Sequence, residues 1–366
     1  ENRALNVKKV LVRREAPSLG KAAVQDVEAI LRDTDIDTVV EVLGGLHPAY
    51  EWICRALAGG KNVVTANKAV ISAYYRELTA LACENRVALR CTAAVGGGIP
   101  WLVNLQRCRR VDTVTEVGGI MNGTTNFIMD AMARQGADFP AVLQRAQELG
   151  YAEADPSADI DGDDIRRKLT ISANIAFDAL LREEDIPAFG IRTVTGADVA
   201  DFRAHGFTCK LLACALRTET GVAAYVEPAL VAEGEPEAAV PGNYNLISCT
   251  GELLGRQSYF GQGAGRYPTA ANVVQDCLDL LTGEDGFYTE TARPMAVEAD
   301  AVAHPYYVRT RTADPWLKSV TADRCHHRGR AGGADAALGG GPAAAGSRLL
   351  RGGHPVTVFR CLRKTS

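Results

Sequence analysis

Apolar runs alternate with helix-patterned segments over the first third of the chain, and this alternation constrains the fold more than any other feature. Val7–Val12 (VKKVLV), Ile36–Leu43 (IDTVVEVL), Asn62–Thr65 and Val87–Cys91 read as strands. Between them, Val24–Leu31, Pro48–Leu57 and Tyr74–Glu84 read as helices, the second with proline well placed in its first turn. Strands that are apolar on both faces need cover on both faces. Helices alternating with strands supply it, so a parallel sheet is expected. In such sheets ligands bind beyond the carboxyl ends of the strands.

Beyond about residue 112 the pattern changes. Val114–Ile120 reads as a strand, Thr124–Arg134 and Ala141–Leu149 as helices, and Ile165–Ala179 as a helix after an acidic loop. Strands are expected at Ile191–Val194, Cys209–Arg217 and Ala223–Val231, giving a second, α+β domain. The expected boundaries are 1–112 and 113–295, with a helix at Ala270–Leu281 packing back on the first domain. From Pro315 onward the chain is rich in Gly, Ala and Arg, and Gly329–Gly353 has no apolar period. Residues 300–366 are therefore expected to form a degenerate or disordered tail. An RNA-binding tail is the functional alternative, and no aromatic residues interleave the charges of Gly329–Gly353.

The net charge is −4 and no long basic run precedes the tail, which argues against nucleic acid or a membrane surface as partner. No apolar run approaches the ~20 residues of a membrane span, and there is no signal peptide, so a cytoplasmic protein is expected. Ten cysteines occur, but no CxxC pair with zinc-like spacing. They read as small buried hydrophobes in a reducing compartment.

Several segments can carry chemistry. Thr65-Ala66-Asn67-Lys68 ends a buried strand, where Lys68 is either a charge clamp or proton carrier or an exposed loop lysine. Val95-Gly96-Gly97-Gly98-Ile99-Pro100 follows another strand end. Its glycines allow backbone to face a cation or an anion, or simply make a tight turn. Asn122-Gly123-Thr124-Thr125-Asn126 opens a helix with good capping residues, and its place after a strand also suits a substrate-lining role. Gly261-Gln262-Gly263-Ala264-Gly265 precedes a helix as a weak phosphate signal.

The strongest segment is Gly150 to Lys168, which packs six carboxylates into nineteen residues. Asp161, Asp164 and Lys168 share one face of a helix beginning near Asp161, and Ile165 and Leu169 face elsewhere. The bland alternative is an acidic cap with a surface ion pair, worth about a few tenths of a kcal/mol. A calcium loop fits poorly, because no terminal bidentate Glu falls at the required place.

Together these segments resemble homoserine dehydrogenase. EVLGG (41–45), NVVTANKAVIS (62–72), AAVGGGIP (93–100), GIMNGTTNFIM (119–129), GYAEADPSADIDGDDIRRKL (150–169) and GAGRYPTA (263–270) stand in that family's order and spacing. The resemblance implies a Rossmann-like nucleotide-binding domain and an α+β catalytic and dimerisation domain. It implies interconversion of L-homoserine and L-aspartate 4-semialdehyde with NAD or NADP, in threonine and methionine biosynthesis, by a homodimer. By resemblance, Lys168 is the general acid/base and Lys68 assists it. Glu153 and Asp164 bind homoserine. Arg13, Leu43, Gly44, Lys68, Gly150, Gly263 and Gly265 contact the cofactor, with Arg13 placed for a 2′-phosphate. Val95, Gly97 and Ile99 match a sodium site built from backbone oxygens.

Three departures accompany the resemblance. No GxGxxG-type turn precedes Val7 and the chain opens on Glu1, so it is expected to lack the family's first strand and pyrophosphate seat. Thr92 stands where the sodium turn usually has Glu. HPYYVRTRTAD (304–314) resembles the first strand of an ACT domain, but its continuation does not; a shifted reading frame or damaged gene would give such a tail. The competing reading is a catalytically silent, dimer-forming fragment that cannot bind cofactor.

Overall fold

Val63, Val64 and Thr65 are completely buried, as a strand with neighbours on both edges and helices on its faces must be. A computed structural model describes residues 5–284, 286–289, 291–299, 301–310, 335–342 and 356–362. The chain divides into two units. The first comprises Glu1–Val111, Ile171–Leu180 and Ala264–Pro294, and the second comprises Asp112–Thr170, Leu181–Gly263 and Met295–Ser366.

In the first unit β1 (Val10–Leu11) pairs in parallel with β2 (Ala23–Val24). After α1 (Glu28–Leu31) come β3 (Thr38–Glu41), α2 (Ala49–Ala58), β4 (Asn62–Thr65), α3 (Lys68–Ala73), α4 (Tyr75–Glu84), β5 (Leu89–Arg90) and α5 (Trp101–Arg109). Strands β3, β4 and β5 form a parallel sheet in that order, Glu41 opposite Thr65 and Val64 opposite Arg90. Helix α2 buries Ala49, Ile53, Ala56 and Leu57, the i, i+4, i+7, i+8 stripe of an amphipathic helix. Each such Ile or Leu contributes roughly 1.5–3 kcal/mol. The helix expected at Val24–Leu31 is shorter than its pattern. Val24 is taken by the ladder with Leu11, and the Asp26 carboxylate accepts the Glu28 N–H (2.9 Å), a turn that holds back the helix until Glu28.

The second unit begins with β6 (Val114–Ile120), followed by α6 (Gly123–Gln135), α7 (Phe139–Glu148), α8 (Ser157–Ile160) and α9 (Asp163–Phe177). Residues 171–177 of α9 count with the first unit. Then come α10 (Gly196–Ala204), β7 (Phe207–Arg217), β8 (Gly221–Ala232), β9 (Tyr244–Gly251) and β10 (Gly255–Gln262). Helix α11 (Arg266–Leu281) belongs to the first unit. Strands β11 (Ala296–Val297), β12 (Ala303–Thr310), β13 (Asp335–Pro342) and β14 (Val356–Leu362) return to the second. They complete a sheet ordered β10-β9-β6-β7-β8-β14-β12-β13, with β11 also on β8. Central β6 lies so close to its neighbours that a Cβ on Gly118 would fall 2.4 Å from the Ala213 carbonyl, and one on Gly119 2.3 Å from that of Leu246. Only glycine permits this approach, and it brings Met121 and Asn122 to the strand's carboxyl end.

Three regions differ from the sequence pattern. Ile191–Val194 is not a strand. Thr195 beyond it forms a capping box with Asp198 and starts α10, a helix that the T-x-x-D spacing could have revealed. Strands β9 and β10 had no counterpart in the sequence reading. In the tail, Asp335–Pro342 pairs with β12, and Val356–Leu362 pairs with both β12 and β8. DAALGGGP has no apolar alternation; the ladder there is made by backbone groups, which a periodicity argument does not register. Residues 311–334, 343–355 and 363–366 of the expected tail lie outside the described residues.

Lys210 on β7 is 1% exposed and donates to Asn126 Oδ1 and to the Val240 carbonyl, both at 2.8 Å. Burial lowers its pKa to about 8, while the charge of nearby Asp130 works the other way. Between that value and the unfolded pKa of 10.5, the unfolded chain binds the extra proton, so stability rises with pH. Wild type is therefore expected to gain on the order of 2–3 kcal/mol over Lys210→Met between about pH 7 and pH 10.5. Urea midpoints at the two pH values check this, and a constant difference would contradict it.

Candidate active site

In the second unit, the site is built from the end of β6, the start of α6, α8 and the first turns of α9. Asn122 is the N-cap of α6, its Oδ1 accepting the Thr125 N–H at 2.8 Å. That fixes the orientation of the carboxamide. Its Nδ2 donates to Asp159 Oδ1 (2.7 Å) and Asp164 Oδ2 (2.8 Å). Lys168, one helical turn beyond Asp164, places Nζ 2.7 Å from Asp164 Oδ2 and donates to the Met121 carbonyl, also at 2.7 Å. Asp164 and Lys168 are buried, so the pair is not the exposed ion pair of the bland alternative. Thr124 Oγ1 donates to the Tyr151 carbonyl at 2.6 Å, tying the Gly150 loop to the same helix start.

Asp159 joins this cluster although no sequence pattern assigned it a role. Burial first, and then the charge of Asp164, push its pKa up, while the bond from Asn122 pulls it down. Two carboxylates around one lysine leave a surplus negative charge in a partly desolvated place, an arrangement suited to receiving a cationic group. A lysine beside such a group can also pass a proton. Glu153 is exposed, and its carbonyl accepts from Gln147. Gly150 ends α7 with φ 73°. Gly263 is confined to glycine because a Cβ there would fall 1.9 Å from Asn245 Nδ2.

The first unit has its own candidate region at the carboxyl ends of β3 and β4. Glu41, 5% exposed, accepts from Thr65 Oγ1 (2.6 Å) and from the Leu43 N–H (2.7 Å). Asn67 Nδ2 donates to the Gly45 carbonyl (2.8 Å), and its Oδ1 accepts the Val70 N–H, capping the helix that starts at Lys68. The buried carboxylate thus braces both strand ends and shapes the 43–45 loop. Its role was missed because Glu41 sits inside an otherwise apolar run. Gly44 and Gly45 have φ near 75° and open space where a Cβ would stand, a backbone cradle of the kind that lets a ligand approach. Arg13 is exposed two residues after β1, and Gly265 precedes α11 with φ 126°.

The Val95–Ile99 turn meets α11. Asn272 Nδ2 donates to the carbonyls of Gly97 (2.6 Å) and Ile99 (3.0 Å). One turn along, Asp276 accepts the Thr92 N–H (2.9 Å) and Oγ1 (2.7 Å) and pairs with Arg90 at 3.1 Å. Arg90 also pairs with Asp279 at 2.6 Å and lies 4.7 Å from the Phe287 ring centroid. This donor set does not fit a sodium ion. Two of the three carbonyls face an amide, and no carboxylate stands at position 92. Among the described residues no group of three or more His, Cys, Asp or Glu could hold a metal ion. No helix among them is long and apolar enough to cross a membrane.

Comparison with known proteins adds independent findings. The family model described as homoserine dehydrogenase matches residues 100–278, and that described as homoserine dehydrogenase, NAD binding domain, matches residues 1–91. A homoserine dehydrogenase of Synechocystis is 42% identical over 288 residues, covering 76% of this chain and 66% of that protein. One of Pseudomonas aeruginosa is 37% identical over 342 residues, covering 89% and 79% respectively. The crystal structure of a homoserine dehydrogenase from Thiobacillus denitrificans superposes with a TM-score of 0.85 at 32% identity, over 97% of this chain and 90% of that one. A hyperthermophilic archaeal homoserine dehydrogenase in complex with NADPH superposes with a TM-score of 0.62 at 26% identity, over 71% and 76%.

Proposed function

Because the chain belongs to the homoserine dehydrogenase family, we propose that it interconverts L-homoserine and L-aspartate 4-semialdehyde with a nicotinamide cofactor, a step of threonine and methionine biosynthesis. The observation that carries this reading is the Asn122–Asp159–Asp164–Lys168 cluster, in which Asn122, Asp164 and Lys168 are buried. A primary alcohol is oxidised when its hydroxyl proton and a hydride leave; the cofactor, when bound, accepts the hydride. Lys168, as the neutral amine, takes the proton from the hydroxyl, and in the reverse direction its ammonium returns a proton to the aldehyde oxygen. Asp164 and the Met121 carbonyl hold Nζ in place. Asp164, with Glu153 from the neighbouring loop, binds the substrate ammonium. Lys68 is the assisting lysine of the first unit.

Leu43, Gly44, Lys68, Gly150, Gly263 and Gly265 are the proposed cofactor contacts. Arg13 is proposed to select the 2′-phosphate of NADP over NAD, in keeping with the NADPH held by the archaeal neighbour. A homodimer formed through the second unit and a cytoplasmic location complete the reading.

The test is direct. Purified chain with L-homoserine is expected to generate reduced nicotinamide, with NADP favoured. Absence of product with either cofactor at millimolar substrate sinks the proposal. Fluorescence titration with NADPH then separates a wrong substrate from a wrong cofactor domain, since failure to bind favours the silent-fragment alternative.

A further inference from the structure

Helix α11 presents two buried positions, Asn272 at 6% and Asp276 at 0% exposure, and both are polar. They are four residues apart, so they share one face. Burying two polar groups from an otherwise ordinary amphipathic helix is costly unless each is fully engaged. Asp276 answers to Arg90 and Thr92. Asn272 answers to the Gly97 and Ile99 carbonyls, two of the three backbone oxygens that resemblance assigns to sodium.

We infer that the Asn272 carboxamide takes the place of the monovalent cation, so that this chain holds its Val95–Ile99 turn without one. Both oxygens are acceptors only, so the donating NH₂ end must face them; the amide cannot be flipped. Its hydrogens bring partial positive charge to the oxygens that a cation would bridge. A carbonyl has two lone pairs, so counting alone does not exclude an ion. Charge does. An ion there would meet the amide hydrogens, and position 92 offers a threonine rather than a carboxylate. The carboxylate that Thr92 does hold, Asp276, is neutralised by Arg90. Thr92 and Asn272 thus form a matched pair, one removing the anionic ligand and the other supplying the missing positive end. All of these residues lie within the first unit, and the inference does not depend on the substrate proposed above.

The experiment reads thermal midpoints of the full chain in Tris buffer with sodium, potassium, lithium or choline chloride at equal ionic strength. Wild type is expected to melt within about 1 °C in all four. A saturable rise specific to sodium or potassium would overturn the inference. Asn272→Asp sets an oxygen against the two carbonyls, which either a cation or a proton kept on the carboxyl can reconcile, so its melts are read at about pH 7 and again at about pH 9, where the proton is least favoured. That variant is expected to melt about 3 °C or more higher in sodium than in choline. If it folds and is as indifferent to the cation as wild type at both pH values, the amide is not a stand-in for an ion and the inference fails. If it does not fold, the wild-type series decides alone.

Discussion

Lys168→Met is expected to lower turnover of L-homoserine by about 10²–10⁴-fold while leaving cofactor affinity within about threefold. Methionine keeps most of the unbranched stem in a site that is 7% exposed, so packing is nearly conserved. What is lost is Nζ, which stands 2.7 Å from both Asp164 Oδ2 and the Met121 carbonyl. The proposed substrate ammonium is held by carboxylates that the substitution leaves in place. The effect should therefore fall mainly on kcat. Removing the cation leaves Asp159 and Asp164 with Asn122 as their shared donor, so Asp159, already raised by burial and by Asp164, rises further. Steady-state rates, NADPH fluorescence titration and a melting curve on the same preparation separate chemistry from binding and folding. A folded variant turning over within about threefold of wild type would remove Lys168 from the proton-transfer role.

The largest stability effect is expected at Arg90. Its side chain is 1% exposed and pairs with Asp276, which is completely buried, and with Asp279. Breaking a buried pair from one side leaves an uncompensated charge, and Arg90→Met is expected to cost about 3–5 kcal/mol near neutral pH. Burial is the largest influence on Asp276 and raises its pKa, whereas Arg90 and Thr92 oppose the rise. Without Arg90 the carboxyl should hold its proton to higher pH in the folded chain than in the unfolded one. The folded state then binds more protons, so the variant's stability falls as pH rises and its deficit shrinks towards acid. Urea midpoints near pH 7 and pH 5 test both parts. A loss under about 1 kcal/mol at neutral pH would contradict a stabilising role for the Arg90–Asp276–Asp279 pairs. Adding Asp276→Asn should recover part of the loss, as expected of groups in one network.

Much of the scaffold was readable from local pattern. Asn62–Thr65 and Val114–Ile120 are strands over the expected residues, and the helices at Ala49–Ala58, Tyr75–Glu84 and Arg266–Leu281 lie close to their expected spans. The reason is that one buried face imposes its period on the residues it contains. The i, i+4 relation of Asp164 and Lys168 was legible for the same reason, since it lies within one helix.

Relations across the chain were not legible. Asn122 reaches Asp159 and Asp164, 37 and 42 residues away, and its sequence signal of a helix cap is spent on a different atom of the same amide. Asp159 looked like any other member of an acidic run until that contact singled it out. The same holds for Asn272, which is separated by 175 residues from the Gly97 carbonyl it bonds. The glycine turn by itself left a cation, an anion and a tight bend equally open.

By itself, then, the sequence determined the layered α/β class, the strands and helices whose faces repeat, the family, and the lysine in line with Asp164. Tertiary structure decided which carboxylates join that lysine and what occupies the carbonyls of the glycine turn. Periodicity encodes which side of an element is buried, because water is excluded from a whole face at once. The partner of a buried polar atom that reaches beyond its own element is encoded nowhere locally, because it depends on which distant group the fold brings within about 3 Å.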